Sequence, residues 1–103
     1  MGETLTLNRD ALSAAAECLR TLAHPLRLRI VEMLLSERHT VGQIAAACQI
    51  PSHHASGHLK LMQRCGLLKA VREGKHVYYQ IDEPCLAKFM ACIRERFGSE
   101  QSE

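Results

Sequence analysis

Between Thr40 and Gly66 the chain "TVGQIAAACQIPSHHASGHLKLMQRCG" leaves itself few ways to fold. In Thr40-Val41-Gly42-Gln43 the Thr hydroxyl and the Gln side chain can each satisfy a free backbone donor, so a helix starts here as a capping box. It is short, because Pro51 follows within about two turns. Ser52 is suited to N-cap a second helix whose inward face is Ala55, Leu59 and Met62, and Gly66 ends that helix just after Cys65. Two helices joined by so brief a connection form a helix-turn-helix.

The flanking segments complete a small mainly helical domain. Asn8 caps an amphipathic helix over residues 8–23, with Leu12, Ala15, Ala16, Leu19, Leu22 and Ala23 at spacings of three and four. Pro25 fits the first turn of the next helix, where its missing N–H costs nothing, and Leu26, Ile30, Val31, Leu34 and Leu35 form the buried stripe. After Gly66 the period changes to two. Val77, Tyr79 and Ile81 alternate with His76, Tyr78 and Gln80 across a turn near Glu73-Gly74, which predicts a β-hairpin with Tyr79 packed inward. Asp82-Glu83-Pro84 then opens a last helix carrying Leu86, Phe89, Met90, Ile93 and Phe97. The expected fold is mainly α with a small β-hairpin, a winged helix-turn-helix in the order α-α-α-α-β-β-α spanning residues 8–97, with flexible tails at 1–7 and 98–103. In such a unit the second helix of the motif lies in the DNA major groove, and the hairpin is the wing.

Charge agrees with that placement. The formal total is only +2, but residues 53–76 carry five Lys/Arg against Glu73 alone, whereas residues 1–52 balance and residues 77–103 are net acidic. A localised basic segment points to a polyanionic partner. With 103 residues and few aromatics, the core must be small and aliphatic, so a second copy is expected to complete it. No apolar run reaches the length of a membrane span and no signal pattern opens the chain. Five cysteines without a CxxC pair are expected to be reduced thiols in the cytoplasm. Neither a nucleophile–base pair nor a Gly-rich phosphate loop is present, which argues against an enzyme. The other rival is a small metal-binding or protein-interaction module without specific DNA binding.

The expected DNA contacts are Ser52, His53, His54, Ser56, Gly57, Lys60, Gln63 and Arg64 on the reading helix and Arg72, Lys75 and His76 on the wing. Ser and Gln can reach base edges, and Lys and Arg can pair with phosphates. For His53 and His54 three readings stand: DNA contact, a structural or solvent role, and metal ligation. His54 and His58, four apart, are only two of the four ligands a structural zinc needs, and His58 is expected to bond within the domain. Gly57 in a helix interior costs about 1 kcal/mol against Ala, which suggests a close backbone approach to DNA or to a neighbouring helix. Arg27 and Arg29 read as phosphate contacts or as surface charges.

"LAHPLRLRIVEML", "TVGQIAAAC", "SHHASGHLKLMQRCGLL" and "VREGKHVYYQI" together resemble the winged-helix repressors of the ArsR/SmtB family. The resemblance implies a homodimer formed through the first and last helices and a double-stranded operator. It also implies release by an inducer such as a metal ion, a metalloid or an oxidising sulfur species, with no cofactor required. Three departures stand out. Val41-Gly42-Gln43-Ile44 lies where soft-metal sensors of the family carry a cysteine pair, the last helix "DEPCLAKFMACIRERF" has no histidine for the family's zinc site, and Gln49 replaces the usual turn glycine. Cys48 and Cys65 read as small core residues. In a dimer of this family the first and last helices adjoin, so Cys18 and Cys92, with Cys85 two turns before Cys92, are the candidates for thiol or soft-metal sensing. Filling the interface is the plain alternative for these three.

Overall fold

Asn8 and His24 set the starts of the first two helices. The Asn8 side chain accepts from Ala11 N at 2.7 Å, opening α1 (Arg9–Leu22), and His24 Nδ1 accepts from Leu26 N at 3.1 Å, opening α2 (Pro25–Ser36) with Pro25 in its first turn. This computed structural model describes residues 6–98, so the expected tails lie largely outside the described residues. The remaining elements are β1 (His39–Thr40), α3 (Val41–Cys48), α4 (Ser52–Arg64), β2 (Leu68–Glu73), β3 (His76–Ile81) and α5 (Cys85–Phe97). The expected capping box is present: Thr40 Oγ1 accepts from Gln43 N at 3.1 Å, and Gln43 Oε1 accepts from Thr40 N at 3.0 Å. Ser52 does not cap α4 as expected. Pro51 occupies the N-cap position, no side chain caps it, and Ser52 is already helical, because Pro51 O accepts from His54 N and Ala55 N and so closes the first turn one residue earlier.

Helices α3 and α4 end in the same way. Ile50 N bonds to Ala45 O and Gln49 N to Ala46 O, and likewise Leu67 N to Met62 O and Gly66 N to Gln63 O. Each pair of bonds makes a Schellman motif, which needs its penultimate residue in the left-handed region. Gly66 takes it at φ 82°, and Gln49 takes it at φ 59°, ψ 47°. The departure at Gln49 thus leaves the turn's geometry intact but places an L-residue where glycine is favoured.

The wing is larger than the expected hairpin. β2 and β3 pair antiparallel from Leu68↔Ile81 to Glu73↔His76, turning through Gly74 at φ 63°. β1 adds a third strand through His39↔Tyr79 and Thr40↔Tyr78, so β3 is central in the order β1-β3-β2. A two-residue strand carries too little alternation to be seen in sequence.

The core gathers Leu22, Ile30, Val31, Leu34, Ile44, Ala45, Ala55, Leu59, Met62, Leu67, Leu68, Tyr79, Leu86 and Met90, with no buried polar or charged residue among the described residues. Tyr79 faces inward as expected, the one aromatic in an otherwise aliphatic interior. The stripe expected to be the apolar face of α1 is not covered by the protomer: Leu12 and Leu19 are 53% and 54% exposed, as is Phe97 on α5 at 68%. Leu22 alone of that stripe is fully buried.

Gln49→Gly should raise unfolding stability by about 0.5–1 kcal/mol, since it removes left-handed strain of an L-residue and adds back less in chain entropy. Urea denaturation of the two proteins measures this, and a lowered midpoint would contradict the strain argument.

Candidate nucleic-acid interface

Burial of one stripe of α4 fixes what the opposite stripe presents. Ala55, Leu59 and Met62 are 0% exposed. At 3.6 residues per turn, His53, Gly57, Lys60 and Arg64, spaced four, three and four, line the far side, and all four are exposed. Ser52 and Gln63 are exposed on one flank with Ser56 half-buried between them, and His54 is exposed on the other flank. The His53 and His54 rings meet edge to face at 4.3 Å between centroids. A Cβ built on Gly57 meets nothing within 4 Å. No neighbouring helix approaches this glycine, so that alternative is removed, and its bare backbone faces outward in the middle of the cationic stripe.

His58 bonds inside the domain, as expected. Its Nδ1 accepts from Arg27 Nε at 3.0 Å, and its ring meets His24 edge-on at 5.0 Å. Burial first, then the charges of Arg27, His24 and His54, hold the imidazole below its ordinary value. Arg27 also donates to Thr21 O at 3.0 Å. It is therefore not a free surface charge: it ties the end of α1 to α4. Arg29 pairs with Glu32 on the surface of α2 at 2.6 Å.

On the wing, Arg72, Lys75 and His76 are exposed around the turn. The acid among them is already engaged. Arg38 grips Glu73 with two bonds, Nη1–Oε2 at 2.9 Å and Nη2–Oε1 at 2.7 Å, while its guanidinium lies 4.1 Å from the Tyr78 ring centroid. These bonds hold the Glu73 carboxyl below its usual range, and the wing's cations are left without it as a competitor. The sequence reading missed Arg38, His24 as a cap and the Arg27–His58 pair. The arginine and its carboxylate are 35 residues apart, and only the β1–β3 pairing brings them together. A rule of local spacing has no access to such a contact.

Among the described residues no three His, Cys, Asp or Glu side chains converge as a metal site would require, and Arg27 already occupies Nδ1 of His58. Cys85 and Cys92 are exposed on α5, and Cys48 is half-buried with burial raising its thiol pKa. Cys18 turns toward α4: its Sγ donates to Cys65 O at 3.6 Å, and Cys65 Sγ lies 3.3 Å from Thr21 Oγ1. Burial first, then the neighbouring Cys65 and Glu17, raise the Cys18 thiol above its ordinary value.

A family model described as a helix-turn-helix domain matches residues 22–71. The chain is 38% identical over 104 residues to the HTH-type transcriptional regulator CmtR of Mycobacterium bovis, covering 87% of this chain and 88% of that one. It is 35% identical over 81 residues to the uncharacterized HTH-type transcriptional regulator Rv0081 of Mycobacterium tuberculosis, covering 78% and 71%. The solution structure of a homodimeric winged helix-turn-helix DNA-binding domain, Mb0332 from Mycobacterium bovis, a possible ArsR-family transcriptional regulator, superposes with a TM-score of 0.77 at 29% identity, covering 98% and 94%. A short first helix, a second helix with an outward cationic stripe and a basic wing beside it define a winged helix-turn-helix DNA-binding protein. The chain belongs to the ArsR/SmtB family of winged helix-turn-helix transcriptional repressors, and it is a regulator rather than an enzyme. No helix among the described residues is long and apolar enough to cross a membrane.

Two substitutions probe this surface. Gly57→Ala should stabilise the fold by up to about 1 kcal/mol, because the added methyl meets only open space, yet weaken DNA binding several-fold by standing off the backbone; unchanged binding in a stabilised variant would refute the close approach. The second concerns pH. His58 in the folded protein holds a proton less tightly than in the unfolded chain, where imidazole titrates near 6.5, so the unfolded state binds more protons and stability rises with pH across that window. Stability is expected to fall as pH drops below about 6.5, and to fall less in His58→Gln, whose amide oxygen can still accept from Arg27; matching pH profiles would show that His58 does not carry the effect.

Proposed function

We propose that two copies of this chain pair through α1 and α5, bind a pseudo-palindromic operator as a cytoplasmic repressor, and leave it when an inducer acts on cysteine thiols. The observation that carries the reading is the outward stripe His53, Gly57, Lys60 and Arg64, set opposite the buried Ala55, Leu59 and Met62 and continued by the wing. In the bound state α4 enters the major groove. Ser52, His53, His54, Ser56 and Gln63 are then near base edges, Lys60 and Arg64 near phosphates, and Arg72, Lys75 and His76 along the adjacent backbone or minor groove.

The uncovered apolar residues Leu12, Leu19 and Phe97 support pairing through α1 and α5, as does the homodimeric neighbour Mb0332. A dimer is also what reading two major grooves about 34–36 Å apart requires. DNA binding itself needs no cofactor. The inducer is a reactive sulfur species or oxidant, or a soft metal ion or metalloid. Its candidate thiols are Cys18, Cys85 and Cys92, and the exposure of Cys85 and Cys92 on one helix supports their access to it.

Fluorescence anisotropy on the DNA upstream of the chain's own coding sequence tests the reading. Specific sites are typically preferred by about 10³-fold or more over competitor, and that preference is expected here. Lys60→Ala and Arg64→Ala should each weaken binding to operator and competitor alike and lower the salt slope by about one. Titrating the complex with Zn(II), As(III), peroxide and polysulfide should identify an agent that releases it. Absence of any sequence preference would leave a metal-binding or protein-interaction module as the better account.

A further inference from the structure

Two cysteines 47 residues apart meet where α1 crosses the end of α4. Cys18 lies one turn before the end of α1, and Cys65 is the C-cap residue of α4. The Cys18 thiol donates to Cys65 O at 3.6 Å, and Cys65 Sγ is 3.3 Å from Thr21 Oγ1, one turn further along α1. The Thr21 hydroxyl spends its own proton on Glu17 O at 3.2 Å, so in this arrangement Cys65 donates to Thr21. The Schellman turn through Gly66 pins the Cys65 backbone, and Arg27 bonds both Thr21 O and His58, lacing the same two helices together nearby. The junction is built, and it brings the two cysteines together within one protomer. Cys85 and Cys92 are instead exposed on α5.

We infer that Cys18 and Cys65 form an oxidisable dithiol, closed by hydroperoxides to an intramolecular disulfide that couples the pairing helix α1 to the reading helix α4. One sulfur, as its thiolate, attacks the terminal peroxide oxygen of ROOH; the O–O bond breaks, ROH leaves and a sulfenic acid remains. The second sulfur attacks the sulfenic sulfur, the S–S bond forms, and the expelled hydroxide takes up that thiol's proton as water. Two thiols thus lose two electrons and two protons, and the peroxide is reduced to ROH and water.

Closure has a mechanical consequence. A disulfide holds its sulfurs about 2.05 Å apart, much closer than two thiols in contact. The bonds from Cys18 to Cys65 O and from Cys65 to Thr21 must break, and the end of α4 is drawn toward α1. Leu12 and Leu19 of α1 form the uncovered stripe, so in a symmetric dimer the shift is applied to both reading helices and changes their spacing. This coupling rests on the repressor reading above, whereas the dithiol itself does not.

The test treats the full-length protein with hydrogen peroxide, then alkylates, maps peptides by mass spectrometry, runs non-reducing gels and measures operator anisotropy. The expected result is a protein lighter by two hydrogen atoms that migrates as a monomer and yields one linked Cys18–Cys65 peptide. Its operator affinity is lower by about tenfold, within the ordinary range of an allosteric coupling, and dithiothreitol restores it. Cys18→Ser and Cys65→Ser, each checked for wild-type circular dichroism and operator binding when reduced, should lose the response, and Cys92→Ser should keep it. The inference is overturned if Cys18 and Cys65 both remain open to alkylation while peroxide consumes Cys85 or Cys92, or if protomers become cross-linked through Cys92. A Cys18–Cys65 bond that leaves operator affinity unchanged overturns the coupling. A reduced protein that ignores the operator sinks the repressor reading, and the peptide map then still decides the dithiol.

Discussion

The burial of Ala55, Leu59 and Met62 in the core they share with Ile30, Val31, Ile44 and Leu68 is the constraint from which the rest of this molecule follows. A helix has only one rotation that hides all three side chains at once, and that rotation turns His53, Gly57, Lys60 and Arg64 to solvent. Removing a fully buried Leu costs about 2–5 kcal/mol, far more than a single exposed cation gains or loses. The hydrophobic contact therefore decides the orientation, and the charges are carried into place by it. The C-terminal ends of both helices of the motif are then locked by the same backbone device, the paired bonds after Cys48 and after Arg64.

The electrostatics of the surface depend on how anions are disposed as much as on where cations sit. Glu73 is the one acidic residue in the basic segment 53–76, and it stands at the tip of the wing, where an approaching duplex would meet it. Arg38 draws it aside with a bidentate pair and stacks on Tyr78. Such exposed pairs add little to stability. Their effect here is on the field the wing presents, and the β1–β3 pairing just after Arg38 carries it to Glu73.

Much of the fold was legible because its signals are local. The capping box at Thr40, Pro25 in the first turn of α2, the helix stop at Gly66 and the alternation through Val77, Tyr79 and Ile81 each act over a few residues, and each is present in the structure. The same locality explains the misses. Ser52 looked like a cap because of its neighbours, but Pro51 O closed the turn first. Arg27 read as a phosphate contact or a surface charge because its partner, His58, is 31 residues away. The contact of Cys18 with Cys65, 47 residues away, likewise went unread.

The amino-acid sequence by itself determined the order of the helices, the reading helix and its cationic side, since hydrophobic period, caps and breakers are written in neighbouring residues. Only the tertiary structure decided which distant groups touch: Arg38 with Glu73, Arg27 with His58, Cys18 with Cys65. Those pairings arise when separate stripes bury together and bring the polar residues at their margins within bonding distance, and no single stripe contains that information.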